Sequence, residues 1–142
     1  MKKITGDLYY AGKQQRFAQY VIAGGLIYLS GSSGRTIETG EVSSDDITEQ
    51  VVVAYDKIRN ALTAAGATMK EIIKVTIYLK DINDYVAVKQ AEWDYWTKYA
   101  PELTISPPCG TAMQIVSLSK PNMKVEFDVV AVAGDKTPAT NG

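Results

Sequence analysis

Residues 106–132, SPPCGTAMQIVSLSKPNMKVEFDVVAV, contain the clearest strand signal in the chain. Between Met123 and Val129 every second residue is apolar, and the residues between them are charged. This period of two is typical of a β-strand with one buried face and one polar face. The pattern therefore predicts that Glu126 lies on the polar face of a sheet.

A partner strand is predicted just upstream, at Ala112–Leu118. Pro107 and Pro108 favour an extended entry, and Ser119–Asn122 has the Pro and Asn that tight turns use. The two strands are therefore expected to be neighbours. Gly110 allows two interpretations: a bare backbone that a ligand approaches, or a glycine that only marks the start of a strand.

The composition predicts one globular domain and excludes several chemistries. The chain has 142 residues, 46% of them apolar and 22% charged, with a net charge of −1. The absence of histidine excludes Ser-His-Asp and Cys-His catalysis and histidine-ligated metals, and the single cysteine, Cys109, excludes a disulfide and fits a reducing compartment. Without a basic surplus or a long apolar run, we expect a cytoplasmic protein with no nucleic-acid or membrane partner.

Two helices are predicted. Ser43–Asp46 supplies cap residues for the first, which extends to about Ala65 with apolar residues at steps of three and four. Asp81 or Asn83 can cap the second, which extends to about Tyr99. The candidates for its buried side are Ile82, Tyr85, Val86, Trp93 and Trp96.

Three further strands complete the predicted sheet. Phe17–Ala23 and Leu26–Leu29 are separated by two glycines and predict a hairpin. The serine- and glycine-rich segment Ser30–Gly34 is predicted as a loop. Ile72–Leu79 predicts a strand with Ile73 on its buried face.

The order of elements, β-β-α-β-α-β-β, predicts an α+β fold with both helices on one face of a mixed sheet. We expect a single domain over residues 1–133 and a disordered tail over residues 134–142. Because two of the strands carry apolar residues on both sides, we expect the second face of the sheet to be buried against other subunits. A ligand site between subunits would follow.

Six segments of the chain together resemble one known family. They are Phe17–Gln19, Tyr28–Gly31, Glu38–Gly40, Ala64–Gly66, Tyr78–Tyr85 and Lys124–Val132. In their order and spacing they resemble the Rid family of reactive intermediate deaminases, also called the YjgF family. The resemblance implies a chorismate-mutase-like fold and a homotrimer with a ligand cleft at each subunit interface. It also implies hydrolysis of enamines or imines, such as 2-aminoacrylate, to a 2-oxo acid and ammonia without a cofactor.

Two site residues match those of the family. Ser30 matches the loop serine, expected to donate a hydrogen bond to the ligand, and Glu126 matches the glutamate that positions or activates water. The arginine that grips the substrate carboxylate does not match, because its position falls on Gly110, followed by Thr111. This argues against efficient deamination of 2-aminoacrylate, since a bidentate guanidinium contact is lost.

Two other positions depart from the family: its cleft tyrosine becomes Phe17, and an asparagine of the second helix becomes Lys89. A cation lost at Gly110 and gained at Lys89 suggests a relocated positive charge. The hypothesis is that Lys89, with Arg35 or Arg16, binds an anionic group of a larger ligand. The alternative is a lysine that points to solvent.

Cys109 also has two interpretations: a reactive thiol near the cleft, or a small buried residue. For function, the first prediction is a protein that binds a small anionic metabolite and hydrolyses an imine, an enamine or a related substrate, with Glu126 as the catalytic residue. The alternative is a non-catalytic, trimeric metabolite-binding or regulatory module. An endoribonuclease is placed third, because the chain has no histidine and no basic surplus.

Overall fold

The computed structural model describes residues 2–134, so the predicted tail falls almost wholly outside the described residues. The helices are α1 (Ile47–Ala64), α2 (Tyr85–Tyr99) and the short α3 (Glu102–Ile105). The strands are β1 (Ile4–Gly6), β2 (Tyr9–Tyr10), β3 (Lys13–Gln14), β4 (Tyr20–Ala23), β5 (Leu26–Leu29), β6 (Ser32–Ser33), β7 (Ile72–Leu79), β8 (Cys109–Gln114) and β9 (Val125–Val132).

Among the described residues, seven strands form one mixed sheet in the order β1-β4-β5-β9-β7-β8, with β6 also paired to β9. The strands β2 and β3 form a separate hairpin. The buried core lies between the sheet and the two long helices. The predicted α+β class, with both helices on one face of a mixed sheet, is confirmed.

The prediction that the last two strands are neighbours is wrong, because β7 lies between them. It pairs in parallel with β8, where Val75 faces Gly110, and antiparallel with β9, where Tyr78 faces Glu126. Parallel pairing needs a crossover, which α2 supplies between β7 and β8. The strand β8 also ends at Gln114, short of the predicted Leu118.

Helix α1 follows the prediction closely. The Asp46 side chain accepts a hydrogen bond from Glu49 N, which caps the first turn. Gln50 lies buried on the same helix, where its Nε2 donates to Ser44 O at 2.8 Å and to Asn122 O at 3.0 Å. Its Oε1 accepts from Lys124 N at 2.9 Å, so this one amide joins the helix to the segment that enters β9.

The predicted buried side of α2 is wrong at four of its five positions. The side chains of Ile82, Tyr85, Val86 and Trp93 are exposed, and only Trp96 is buried. The chain first forms a separate turn at Ile82–Asp84 and begins α2 at Tyr85. The stripe that faces the core is Val88, Ala91, Glu92, Tyr95 and Trp96.

The prediction for β7 also needs a correction at its start. Ile72 is buried and Ile73 is exposed, the reverse of the expected alternation. The pairing register with β9 shifts between Ile72 and Lys74, which is the mark of a β-bulge. A bulge turns the residues before it to the opposite face.

The first hairpin is confirmed, with Gly24 and Gly25 at φ values of 60° and 78° in the turn. Part of the predicted serine-rich loop is wrong, because Ser32 and Ser33 are buried and pair with β9. The sheet face away from the helices exposes Tyr28 and Val132, which fits the expected apolar second face. No helix in the described part of the chain is long and apolar enough to cross a membrane.

Candidate functional site

Glu126, on strand β9, lines a pocket of about 270 Å³, which we call the Glu126 pocket. In the sheet, Glu126 pairs with Ser33 of β6 on one side and with Tyr78 of β7 on the other. The side chain is half-buried, and this burial is the main cause that raises the pKa of its carboxyl above 4.5, although Lys57 opposes the shift. A raised pKa makes a carboxylate a better proton acceptor than an ordinary exposed one.

Gly31 holds the backbone directly against this carboxylate. A Cβ atom placed on Gly31 would overlap the Glu126 carboxyl group. A side chain at this position would therefore have to displace the carboxylate from where it lies. Gly31 lines the pocket beside that carboxylate.

Three other predicted site residues line the same pocket: Ser30, Phe17 and Arg35. The Ser30 hydroxyl already donates to Ala18 O, so it must turn to donate to a ligand. Phe17 is 48% exposed and offers an apolar ring at the rim. Arg35 makes no ion pair within residues 2–134, which leaves its charge available to an anionic ligand.

The remaining predicted residues lie in a second pocket of about 260 Å³, which we call the Gly110 pocket. Lys89 from α2 and Cys109, Gly110 and Thr111 from β8 all line it. Cys109 is exposed, so the interpretation as a small buried residue is wrong. Arg16 is exposed and lines neither pocket.

The ammonium group of Lys89 is already paired. Its Nζ lies 2.6 Å from Oε1 of Glu92, a carboxylate with 1% side-chain exposure. The other oxygen of Glu92 accepts from Tyr55 Oη at 2.6 Å. The Gly110 pocket therefore has a lysine whose charge is largely balanced.

Sequence reasoning missed three residues that shape these pockets: Glu92, Lys57 and Tyr10. Glu92 falls at four-residue spacing between Val88 and Trp96, so a helical stripe that includes polar residues would have found it. Lys57 follows the buried Ala54 of α1 by three residues, so the same helical spacing would have placed it beside the buried stripe. Nothing in the sequence marks Tyr10.

The described residues contain no group of three or more Cys, Asp and Glu side chains placed to hold a metal ion. Nor does either pocket have the lysine and glycine spacing of a phosphate loop. Each pocket instead combines a few polar groups with aromatic rings, and each is slightly smaller than the roughly 300 Å³ at which ligand sites usually begin.

Known proteins are similar to this chain over most of its length. The family profile named Endoribonuclease L-PSP matches residues 11–133. A 2-iminobutanoate/2-iminopropanoate deaminase from Capra hircus is 31% identical over 124 residues, which cover 87% of this chain and 85% of the relative. A RutC family protein from Pyrococcus abyssi is 30% identical over 115 residues, which cover 81% of this chain and 84% of the relative.

Solved structures agree on the fold. Escherichia coli TdcF with bound serine superposes with a TM-score of 0.79 at 24% identity, covering 94% of this chain and all of that one. The Rid protein YyfA from Yersinia pestis gives the same TM-score and identity, with 92% and 99% covered. The fold is that of the small α+β, YjgF-type proteins. The chain belongs to the Rid/YjgF family.

Proposed function

We propose that this protein is a homotrimer that binds a small anionic metabolite in clefts between subunits and hydrolyses an imine, an enamine or a related substrate. The observation that carries the proposal is the division of the predicted site residues into two separate pockets on one chain. Each pocket is incomplete: one has the glutamate, and the other has the family's ligand-binding strand. A symmetric assembly that joins the Glu126 pocket of one subunit to the Gly110 pocket of the next makes one site.

The exposed apolar face supports this assembly. Tyr28 is 47% exposed, Ile73 40%, Met113 37% and Val132 42%. Large apolar side chains of this kind on a sheet face are typical of a surface that is covered in the functional protein. A closed trimer would cover three equivalent faces at once.

In the proposed reaction, an enamine first becomes its imine tautomer. Glu126 accepts a proton from water while the water oxygen bonds to the carbon of the protonated imine, which gives a neutral carbinolamine. The carboxylic acid then returns the proton to nitrogen. As the C–N bond breaks and ammonia leaves, the carboxylate takes the hydroxyl proton, and a carbonyl product remains. The raised pKa of Glu126, caused first by burial, suits both halves of this transfer.

The ligand's anionic group is assigned to Arg35 rather than to Lys89 alone. Arg35 Nε donates to Gly40 O at 2.7 Å, which holds the guanidinium in place at the Glu126 pocket. Lys89 is balanced by Glu92, so a second anion gains less from it. The relative with bound serine shows that this fold can hold a small amino acid, which supports a ligand of that size.

A non-catalytic binding module is the second candidate, because Gly110 stands where the resemblance expects the carboxylate-gripping arginine. Both candidates predict binding, and only the first predicts turnover. Endoribonuclease activity stays third despite the name of the family profile, for the reasons of composition given above. The cytoplasmic location stays a prediction.

The test couples a pyridoxal-phosphate dehydratase to semicarbazide trapping of its imine products. We expect the wild-type protein to compete with the trap and speed 2-oxo acid formation, and Glu126→Gln to lose this effect. If wild type does not compete while an arginine-bearing relative does, deamination of these imines is ruled out and the binding module is favoured.

The composite site has its own test, which is subunit mixing. Glu126→Gln disables one half-site and Thr111→Trp blocks the other. Trimers that contain both variants regain a share of intact clefts if the halves come from different subunits. Activity or ligand binding that stays absent on mixing, with native mass spectrometry showing that mixed trimers have formed, would contradict the composite cleft.

A further inference from the structure

A third cavity adjoins the Glu126 pocket and contains a lysine, Lys57. Its volume is about 60 Å³, enough for the reacting end of a small molecule. Tyr10, Ser30 and Gly31 line both cavities, so the two spaces meet at these residues. Its other walls are largely apolar and include Leu8, Leu29, Ile37 and Ile58.

The amine of Lys57 is held in a fixed place by an aromatic hydroxyl. Its Nζ donates to Tyr10 Oη at 3.0 Å and lies 5.3 Å from the centroid of the Tyr10 ring. The guanidinium of Arg35 stacks on the same ring at 4.1 Å. No carboxylate forms an ion pair with Lys57 within residues 2–134, so this lysine has a cation and a phenol as its close neighbours.

This environment favours the uncharged amine. Burial first, and the charge of Arg35 second, lower the pKa of Lys57 from 10.5 to about 7, while Glu126 acts in the opposite direction. Lysines become nucleophilic when an apolar pocket or a neighbouring cation removes their proton. Lys57 has both influences, and it is half-buried, so small molecules can still reach it.

We propose that Lys57 is a nucleophilic amine that forms a Schiff base with a small aldehyde or 2-oxo acid that enters through the Glu126 pocket. The carbonyl carbon would lie at the junction of the two cavities, beside Tyr10. The carboxylate of a 2-oxo acid would extend toward Arg35, which lines the Glu126 pocket. A carbonyl compound that carries a carboxylate, such as a 2-oxo acid, is therefore the preferred ligand.

The chemistry balances without an added reagent. The Nζ lone pair bonds to the carbonyl carbon, and the carbonyl oxygen takes a proton from the Tyr10 hydroxyl as the carbinolamine forms. Nitrogen then returns a proton to the Tyr10 phenolate, which gives the neutral carbinolamine. The Tyr10 hydroxyl protonates the carbinolamine oxygen, water leaves as the nitrogen lone pair forms the C=N bond, and the remaining N–H proton can return to Tyr10. Tyr10 can act in this way because burial is the first cause that raises its pKa, which keeps it a phenol.

The proposal stands apart from imine hydrolysis. Capture of a carbonyl compound needs the amine and Tyr10, and it does not need a water activated by Glu126. Failure of the deaminase test therefore leaves this inference in place, and failure of this inference leaves the deaminase proposal in place.

The experiment is reductive trapping. The full-length protein is incubated with glyoxylate or pyruvate and cyanoborohydride, and the product is analysed by intact mass and peptide mapping. We expect one adduct per chain, located on Lys57, at a rate that rises through pH of about 7. Lys57→Arg should lower labelling at least about tenfold, because a guanidinium stays protonated.

Matched controls separate the amine from its setting. Lys98→Arg, which changes an exposed lysine on α2, should label like wild type. Tyr10→Phe should slow adduct formation, because the acid is lost. Arg35→Gln should move the pH midpoint of labelling upward, because the cation that lowers the pKa of Lys57 is removed.

Three results would overturn the proposal: adducts on the amine at the start of the chain, adducts spread over surface lysines, or equal labelling of Lys57→Arg. Labelling that rises only near a pH of about 10, the range of an ordinary lysine, would overturn it as well. If Lys57→Arg does not fold, Arg35→Gln is the deciding variant. A pH midpoint of labelling that does not move in Arg35→Gln would show that the labelled amine is not the one beside Arg35, which contradicts the proposal.

Discussion

Lys89→Met is the substitution that tests most directly what the Lys89–Glu92 pair does. It removes the ammonium group 2.6 Å from Glu92 Oε1 and leaves a carboxylate of 1% side-chain exposure with Tyr55 as its remaining partner. Removing one partner of a fully buried pair costs about 3–5 kcal/mol, and a lost hydrogen bond to a charged group about 1.5–3 kcal/mol. Because Lys89 is itself 43% exposed, water can replace it in part. We expect the free energy of unfolding to fall by about 2 kcal/mol.

The assay is denaturant unfolding at a fixed protein concentration, because an oligomer's stability depends on it. In a thermal melt, the same loss would lower Tm by about 5–8 °C for a domain of this size. The matched variant is Lys89→Met with Glu92→Gln, which removes the buried charge together with its partner. We expect this double variant to recover to within about 1 kcal/mol of wild type.

Two outcomes decide the role of Lys89. If Lys89→Met changes the free energy of unfolding by less than about 0.5 kcal/mol, which is the scale of an ordinary surface substitution, the counter-ion argument is refuted. If the double variant recovers stability and still binds ligand weakly, Lys89 contacts the ligand's anionic group, as the sequence hypothesis holds. If the double variant recovers both stability and ligand binding, Lys89 serves only as the counter-ion of Glu92.

Three further predictions follow from single contacts. Gly31→Ala should displace the Glu126 carboxylate, because the new methyl group would overlap Oε1. We expect substrate turnover to fall at least about tenfold, with a change in Tm of only a few degrees. Unchanged turnover would contradict the close approach of Gly31 to Glu126. Gly110→Arg should raise imine deamination above Gly110→Ala, which shares the same 3.3 Å contact with Val75 O; equal rates would show that this position does not meet the substrate. Folding lowers the pKa of Lys57, so the unfolded chain binds more protons than the folded one between about pH 7 and 10.5. The free energy of unfolding of wild type should therefore rise relative to that of Lys57→Met as pH rises through this window. Parallel curves of unfolding free energy against pH would refute the lowered pKa.

The sequence predicted the elements better than their arrangement. The alternation around Glu126 and the apolar stripe of α1 are local signals, and both elements form as expected. The placement of β7 between β8 and β9 depends on which strands compete for the centre of the sheet, and no local pattern contains that information. The bulge at Ile73 is equally invisible, because one extra residue reverses the alternation without changing the composition.

The site shows the same division. Ser30 and Glu126 were found through the resemblance, and the structure places both in one pocket. Glu92 was missed because a carboxylate on a buried stripe contradicts the hydrophobic pattern used to choose the stripe. Lys57 was missed because its importance comes from Tyr10 and Arg35, which are far from it in the sequence and close to it in space.

The buried amide of Gln50 has a consequence for the alignment of the glutamate strand. Its three hydrogen bonds hold Ser44, Asn122 and Lys124 at one point, directly before β9 begins. Side chains alternate along a strand, so a slip of β9 by a single residue would turn Glu126 toward the core and Phe127 toward solvent. Gln50 thus fixes the register of β9. Because it ties helix α1 to the residues just before this strand, it determines on which face of the sheet the Glu126 carboxylate lies.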